Sequence, residues 1–113
     1  MQTNICSKSE IEFYGHKISA VRDNGDNYFL NPDDCESILD VPETPLKDYI
    51  DSNLSFLNEA VYGNIFCEGY VSSLVVVFYW LSELSKGSDS AETILMMFAN
   101  EALFSRLKSA QFR

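Results

Sequence analysis

The run from Tyr70 to Leu84 is apolar nearly all round, carrying Val71, Leu74, Val75, Val76, Val77, Phe78, Tyr79, Trp80, Leu81 and Leu84. A segment with no polar face must be enclosed by other elements, so the rest of the chain has to wrap it. Three consecutive valines favour strand locally. The length of the run, the polar Ser82, Glu83 and Ser85 read as its exposed positions, and Gly87 as a stop predict a helix instead. That helix is the expected centre of the core. It is no membrane span, because only Leu74 to Leu81 separate Ser73 from Ser82, against the roughly 18 apolar residues a crossing needs.

The elements available to wrap it read as α+β. Ile11 to Val21 alternates imperfectly, with Gly15 marking a bulge or a turn between short strands. Asp23-Asn24-Gly25-Asp26 predicts a type I′ hairpin turn, and Asn27-Tyr28-Phe29-Leu30 the returning strand. Asn31-Pro32-Asp33-Asp34 opens a helix: Asn as N-cap, Pro at the first helical position, two acids against the positive end. It is expected to run to about Leu39, burying Cys35, Ile38 and Leu39. After Val41-Pro42, Thr44 and Pro45 restart a second short helix that buries Leu46, Tyr49 and Ile50. Asn64 to Gly69 reads as a short strand. A final helix to about Ala110 starts in Ser88-Asp89-Ser90, with Asp89 the expected capping-box residue, and buries Ala91, Ile94, Leu95, Phe98, Ala102 and Leu107. The expected architecture is a small antiparallel hairpin or sheet packed on about four helices, two of them long. With 113 residues, 46% of them hydrophobic, it forms a single domain over 1–113, with a loose N-terminus over 1–8.

Charge is placed unevenly. Between Asp23 and Asp51 nine acids face one base, Lys47, so this stretch carries -8 of the net charge of -9. Such a field repels phosphate backbones, which makes nucleic acid an unlikely ligand for the whole chain. A solvated face that keeps the chain soluble is the plain reading of these acids. The functional reading is a docking surface for a basic protein, made by Asp33, Asp34, Glu36, Asp40 and Glu43. Met96, Met97 and Phe104 are left on the flanks of the last helix, either as a wide core face or as an apolar patch for self-association into a homodimer.

Chemistry is sparse. Cys6, Cys35 and Cys67 form no CxxC pair, and the single His16 completes no zinc site with them at usual spacings. Cys35 and Cys67 read as reduced core thiols. The glycines fall in no phosphate-loop frame, and the carboxylate pairs Asp33/Asp34 and Glu10/Glu12 have capping or solvation explanations. No cofactor, no metal and no enzymatic activity are expected. Met1 to Cys6 lacks a basic region followed by an apolar one, so no signal peptide is read and a cytoplasmic protein is expected.

Phe13, Gly15, Ile18, Val21, Asp23, Gly25, Tyr28, Pro32, Cys35, Glu36 and Leu39 follow the order of a strand, an acidic-glycine hairpin, a Tyr-bearing strand and a Pro-started helix. In this the segment from Ile11 to Val41 resembles the N-terminal domain of phage antirepressors and the Bro-N domain of viral regulators. Gly69-Tyr70, Ser90-Ala91, Phe98 and Glu101-Ala102-Leu103 extend the similarity faintly. The chain departs from the pattern where the helix ends in Leu39-Asp40-Val41-Pro42, where acids replace the basic residues that follow, and where Trp80 precedes the last helix instead of lying in it. The resemblance implies phage or mobile-element regulation, either by gripping a repressor or by binding DNA. The expected function is therefore an antirepressor-like protein that occludes a partner's basic nucleic-acid-binding surface. The alternatives are a Bro-N-like regulator touching DNA through Lys8, Lys17 and Arg22 or through Arg106, Lys108 and Arg113, and an inhibitor of a host defence nuclease complex such as an anti-CRISPR.

Overall fold

A computed structural model describes residues 7–13 and 15–110. Strands β1 (Ser7–Phe13) and β2 (His16–Arg22) pair antiparallel in register from Ser7 opposite Arg22 to Phe13 opposite His16, so Gly15 belongs to a turn and not to a bulge. β3 (Tyr28–Leu30) adds to β2, with Ala20 opposite Leu30. The connecting turn is not the I′ turn expected of Asn24-Gly25. Asp26, not Gly25, takes the left-handed conformation at φ 58°, and Asp26 N–H donates to the Asp23 carbonyl at 3.3 Å. The Asp23 carboxylate organises the loop by accepting from the backbone of Asn27 and Gly25, both at 2.9 Å, and from the Asn27 amide. Those bonds, the Asn27 backbone first, hold its carboxyl below its ordinary range. Local side-chain bonding thus chose a wider loop than the dipeptide signal implied.

The I′ geometry appears later. β4 (Phe66–Cys67) and β5 (Tyr70–Ser72) are joined by Glu68 and Gly69, both at positive φ, the arrangement that matches strand twist in a two-residue loop. β5 pairs with β3, giving one antiparallel sheet in the order β1-β2-β3-β5-β4. The first three residues of the apolar run are therefore strand. Helix α4 (Ser73–Ser85) takes the rest and ends as expected at Gly87, whose φ of 94° closes it with Gly87 N–H on the Leu84 carbonyl and Ser88 N–H on the Glu83 carbonyl.

Between β3 and β4 lie α1 (Pro32–Ser37), α2 (Leu46–Ser52) and α3 (Leu54–Ala60). α1 begins as the cap residues dictate, with Asn31 Oδ1 accepting from Asp34 N–H, and stops at Ser37, before Ile38 and Leu39. α3 adds a fifth helix to the expected four, burying Leu57. α5 (Asp89–Ser109) is capped by Ser88, whose hydroxyl accepts from Ala91 N–H, so Asp89 is a first-turn acid and not the cap. Ser7 and Lys8, expected to be loose, open β1; the remainder of that expected segment, and Cys6, lie outside the described residues. Among the described residues no helix is long and apolar enough to cross a membrane.

α4 sits at the centre of the core. Val75, Val76, Tyr79 and Trp80 are buried against Leu46, Tyr49 and Ile50 of α2, Leu57 of α3, Cys35 and Leu39, and Ala91 and Ile94 of α5. Trp80 stacks on Phe98 at 5.7 Å between centroids, and its indole N–H donates to the Cys35 carbonyl at 3.0 Å. Val21 and Phe29, opposite each other across β2 and β3, are buried outside this cluster. Glu83, read as exposed, is 1% exposed. Conversely Ala102 and Leu107, read as buried, are exposed, because α5 outruns the core it packs on.

Cys35 makes the core sensitive to alkali. Burial, with a smaller push from the Asp34 charge, raises its thiol from about 9 to about 12. Below pH 9 both folded and unfolded chains hold the proton. From 9 to 12 the unfolded chain releases it and the folded chain does not, so stability falls by up to about 1.4 kcal/mol per pH unit. Urea midpoints measured at pH 7.5, 9 and 10 should drop over the last interval in the native chain and drop less in Cys35→Ala. Parallel slopes in the two proteins would contradict this assignment.

Candidate functional site

The acids of the expected docking surface do not share one face. Asp33 and Glu36 project from α1 toward α2, where with Lys47, Ile50, Asp51 and Phe66 they line a cleft of about 390 Å³. Glu43 borders a smaller hollow beside Glu83 and Lys86. Asp40 lies in a third, with His16, Asp89 and Thr93. Short helices scatter residues that are neighbours in sequence, and the Val41-Pro42 break turns the chain between Asp40 and Glu43.

Two of the five are also engaged internally. Asp34 Oδ2 accepts from Ser19 N–H at 2.9 Å, tying α1 to β2. Glu36 Oε1 accepts from Leu46 N–H at 2.9 Å, and this supplies the cap that Pro45, the N-cap residue of α2, does not make with its own side chain. Asp33, Asp40 and Glu43 remain exposed. Asp51, which counted only toward the acidity of the stretch, is the carboxylate the structure adds to Asp33 and Glu36; its i, i+3, i+4 spacing from Lys47 and Asp48 on α2 gave no sign that it faces α1.

The cleft is apolar at its base and acidic at its rim. Leu46, Ile50 and Val71 are buried beneath it, and Phe66 is half exposed at its side. Such a hollow suits a side chain with an apolar stem and a cationic head, since the stem stays against carbon while the head reaches the carboxylates. Lys47 occupies part of the rim and leaves it with a net negative charge.

The basic residues are dispersed. Lys8 and Lys17 alternate on the hairpin with Glu10 and Glu12, Lys17 lying opposite Glu12. Arg22 pairs with Asp26 at 3.9 Å. Arg106 and Lys108 are exposed near the end of α5, and Arg113 lies outside the described residues. Met96 and Phe104 are each 63% exposed, and Met97 is half buried, so the first two are not a core face. Among the described residues no group of His, Cys, Asp and Glu side chains is arranged to hold a metal ion. Compared with family models, curated proteins and solved structures, the chain matches none of them.

Proposed function

We propose that this chain is a small regulatory binding protein that docks a basic, nucleic-acid-binding partner through the cleft between α1 and α2. The observation that supports the reading is the combination of an apolar base with Asp33, Glu36 and Asp51 at the rim. A lysine or arginine seated there is lost to phosphate contact, so binding and occlusion are the same event. The surrounding acidity, -8 between Asp23 and Asp51, speeds encounter with a positively charged surface. This is the antirepressor-like role, and an inhibitor of a defence nuclease complex would work by the same displacement.

The test uses the whole chain and a labelled peptide of alternating arginine and leucine. Binding is expected to weaken as salt rises. Asp33→Lys with Asp51→Lys should weaken it by at least about tenfold, the equivalent of about 1.4 kcal/mol, and flatten the salt dependence. Both positions are exposed, and because Asp33 lies in the first turn of α1, circular dichroism of the double variant confirms that the fold is kept before binding is compared. Unchanged affinity in the double variant would refute the cleft as the docking site. A shifted DNA probe at low salt that is lost on replacing Arg106 and Lys108 would instead favour the DNA-binding alternative.

A further inference from the structure

A second cavity, larger than the acidic cleft, is an open groove of about 650 Å³ between one face of the hairpin sheet and helices α4 and α5. Ile18, Val76 and Trp80 are buried at its base, and Ala99 and Ala102 form part of its α5 wall. Its polar groups gather at one end. Tyr28 and Ser73 supply the only hydroxyls; Tyr28 stands opposite Arg22 in the sheet, and Ser73 follows Ser72, the partner of Phe29. A smaller hollow carries the groove on past Ile11, Ala20 and Tyr28 to Ser7 and Arg22. α5 brings a second cation to that end. The helix starts beside His16, at the far end of β2, where Asp89 and Ile94 share a hollow with His16 and Asp40. It then runs along the groove, and Arg106 falls one turn beyond Ala102 on the same face. No acid occurs from Ala102 to Arg113. The groove is thus apolar along its length, cationic at one end and acidic at the other.

We infer that the groove holds one long-chain fatty acid, its carboxylate at the Arg22 and Arg106 end and its hydrocarbon chain laid along α5 over Trp80. Three observations select this occupant. The first is charge. Arg22 is held only loosely, at 3.9 Å, by the exposed Asp26, so its guanidinium can turn to a second carboxylate, with the Tyr28 and Ser73 hydroxyls at the same end. Entry the other way round would set the carboxylate against Asp40 and Asp89. The second is length. From Leu95, on the groove wall, to Arg106 is about 16 Å at 1.5 Å per residue. A bilayer core of about 30 Å is two acyl chains deep, so one chain spans about 15 Å. The third is the polar inventory. An extended peptide would bury amides that two hydroxyls cannot satisfy, whereas a hydrocarbon chain brings no polar atom into the groove.

The acidic cleft shares no residue with this groove, so the two readings stand or fall separately. Trp80, the single tryptophan, reports occupancy. Dibromostearate, added to the full chain below its micelle concentration, should quench Trp80 fluorescence at one site per 12.8 kDa chain. Affinity should rise about fourfold per methylene from octanoate to dodecanoate. Arg22→Gln with Arg106→Gln should weaken dodecanoate by about tenfold and leave dodecanol unchanged. Both arginines are exposed, as is Ala99, and circular dichroism checks that the variants keep the fold. Ala99→Phe, which fills the groove, should weaken dodecanoate and dodecanol alike. Absence of quenching, or a dodecanoate affinity indifferent to the arginine pair or to Ala99→Phe, would overturn the proposal. So would quenching by vesicles of brominated phosphatidylcholine but not by the free acid, which would give this face to a membrane surface. A mass that doubles with concentration in the native chain and not in Ala99→Phe would give the groove to a second copy and overturn it too.

Discussion

Replacing Trp80 with alanine is expected to cost about 3–5 kcal/mol, enough to leave a chain of this size largely unfolded or barely stable at ordinary temperature. The side chain is 2% exposed, fills the space between α1 and α5, and stacks on Phe98. It also carries the indole N–H that satisfies the Cys35 carbonyl, in the last turn of a six-residue helix that lacks length to stabilise itself. Trp80→Phe separates these contributions. It keeps an aromatic ring against Phe98 and removes the hydrogen bond, leaving a buried carbonyl unpaired at about 1–3 kcal/mol. Urea denaturation followed by far-ultraviolet circular dichroism measures both, and a Trp80→Ala chain within 1 kcal/mol of the native one would show that another residue anchors α4.

Glu83 carries the second large effect. Its Oε1 accepts from Glu43 N–H, and its Oε2 lies 3.3 Å from Lys86 Nζ, which in turn donates to Thr44 Oγ1 at 2.7 Å. The Thr44 carbonyl accepts from the Tyr79 hydroxyl at 2.6 Å. The Pro-bounded loop between α1 and α2 is thereby pinned to the C-terminal half of α4 by side-chain hydrogen bonds as well as by the burial of Ile38 and Leu39. Glu83→Ala leaves the Glu43 amide without its acceptor, removes the partner of Lys86 and opens a small void, at about 2–4 kcal/mol. Glu83→Gln retains an acceptor oxygen and should lose about half as much. Equal losses in the two variants would mean that the negative charge, not the hydrogen bond to the loop, is what matters.

These residues also mark where sequence reading stops. Hydrophobic period and cap chemistry located the hairpin, the Asn31-Pro32 helix start, the Gly87 stop and the two long helices, because each of those is decided within a few residues. Glu83 looked exposed because its one-letter pattern is that of a helix surface; its burial depends on a loop forty residues upstream. Ala102 and Leu107 fit the buried stripe of α5, yet periodicity reports which side of a helix is apolar and says nothing of how far the opposing core extends. The left-handed residue of the β2–β3 loop moved from the Asn-Gly pair to Asp26 because the Asp23 carboxylate bonds the loop backbone. In the acidic stretch the composition was visible. The separation of Asp40 and Glu43 from Asp33 and Glu36, and the arrival of Asp51 beside them, required the packing of α1 on α2.

The sheet order places β1 at one end, so every second one of its residues turns its amide and carbonyl toward no described neighbour. A strand of that length with open amide and carbonyl groups is a template on which other extended chains could grow. Lys8, Glu10 and Glu12 occur at every second residue, so one face of that margin meets any incoming strand with a charge at each step. Charges at this spacing oppose edge-to-edge growth, so their replacement by apolar residues is expected to shorten colloidal lifetime more than it lowers the melting temperature.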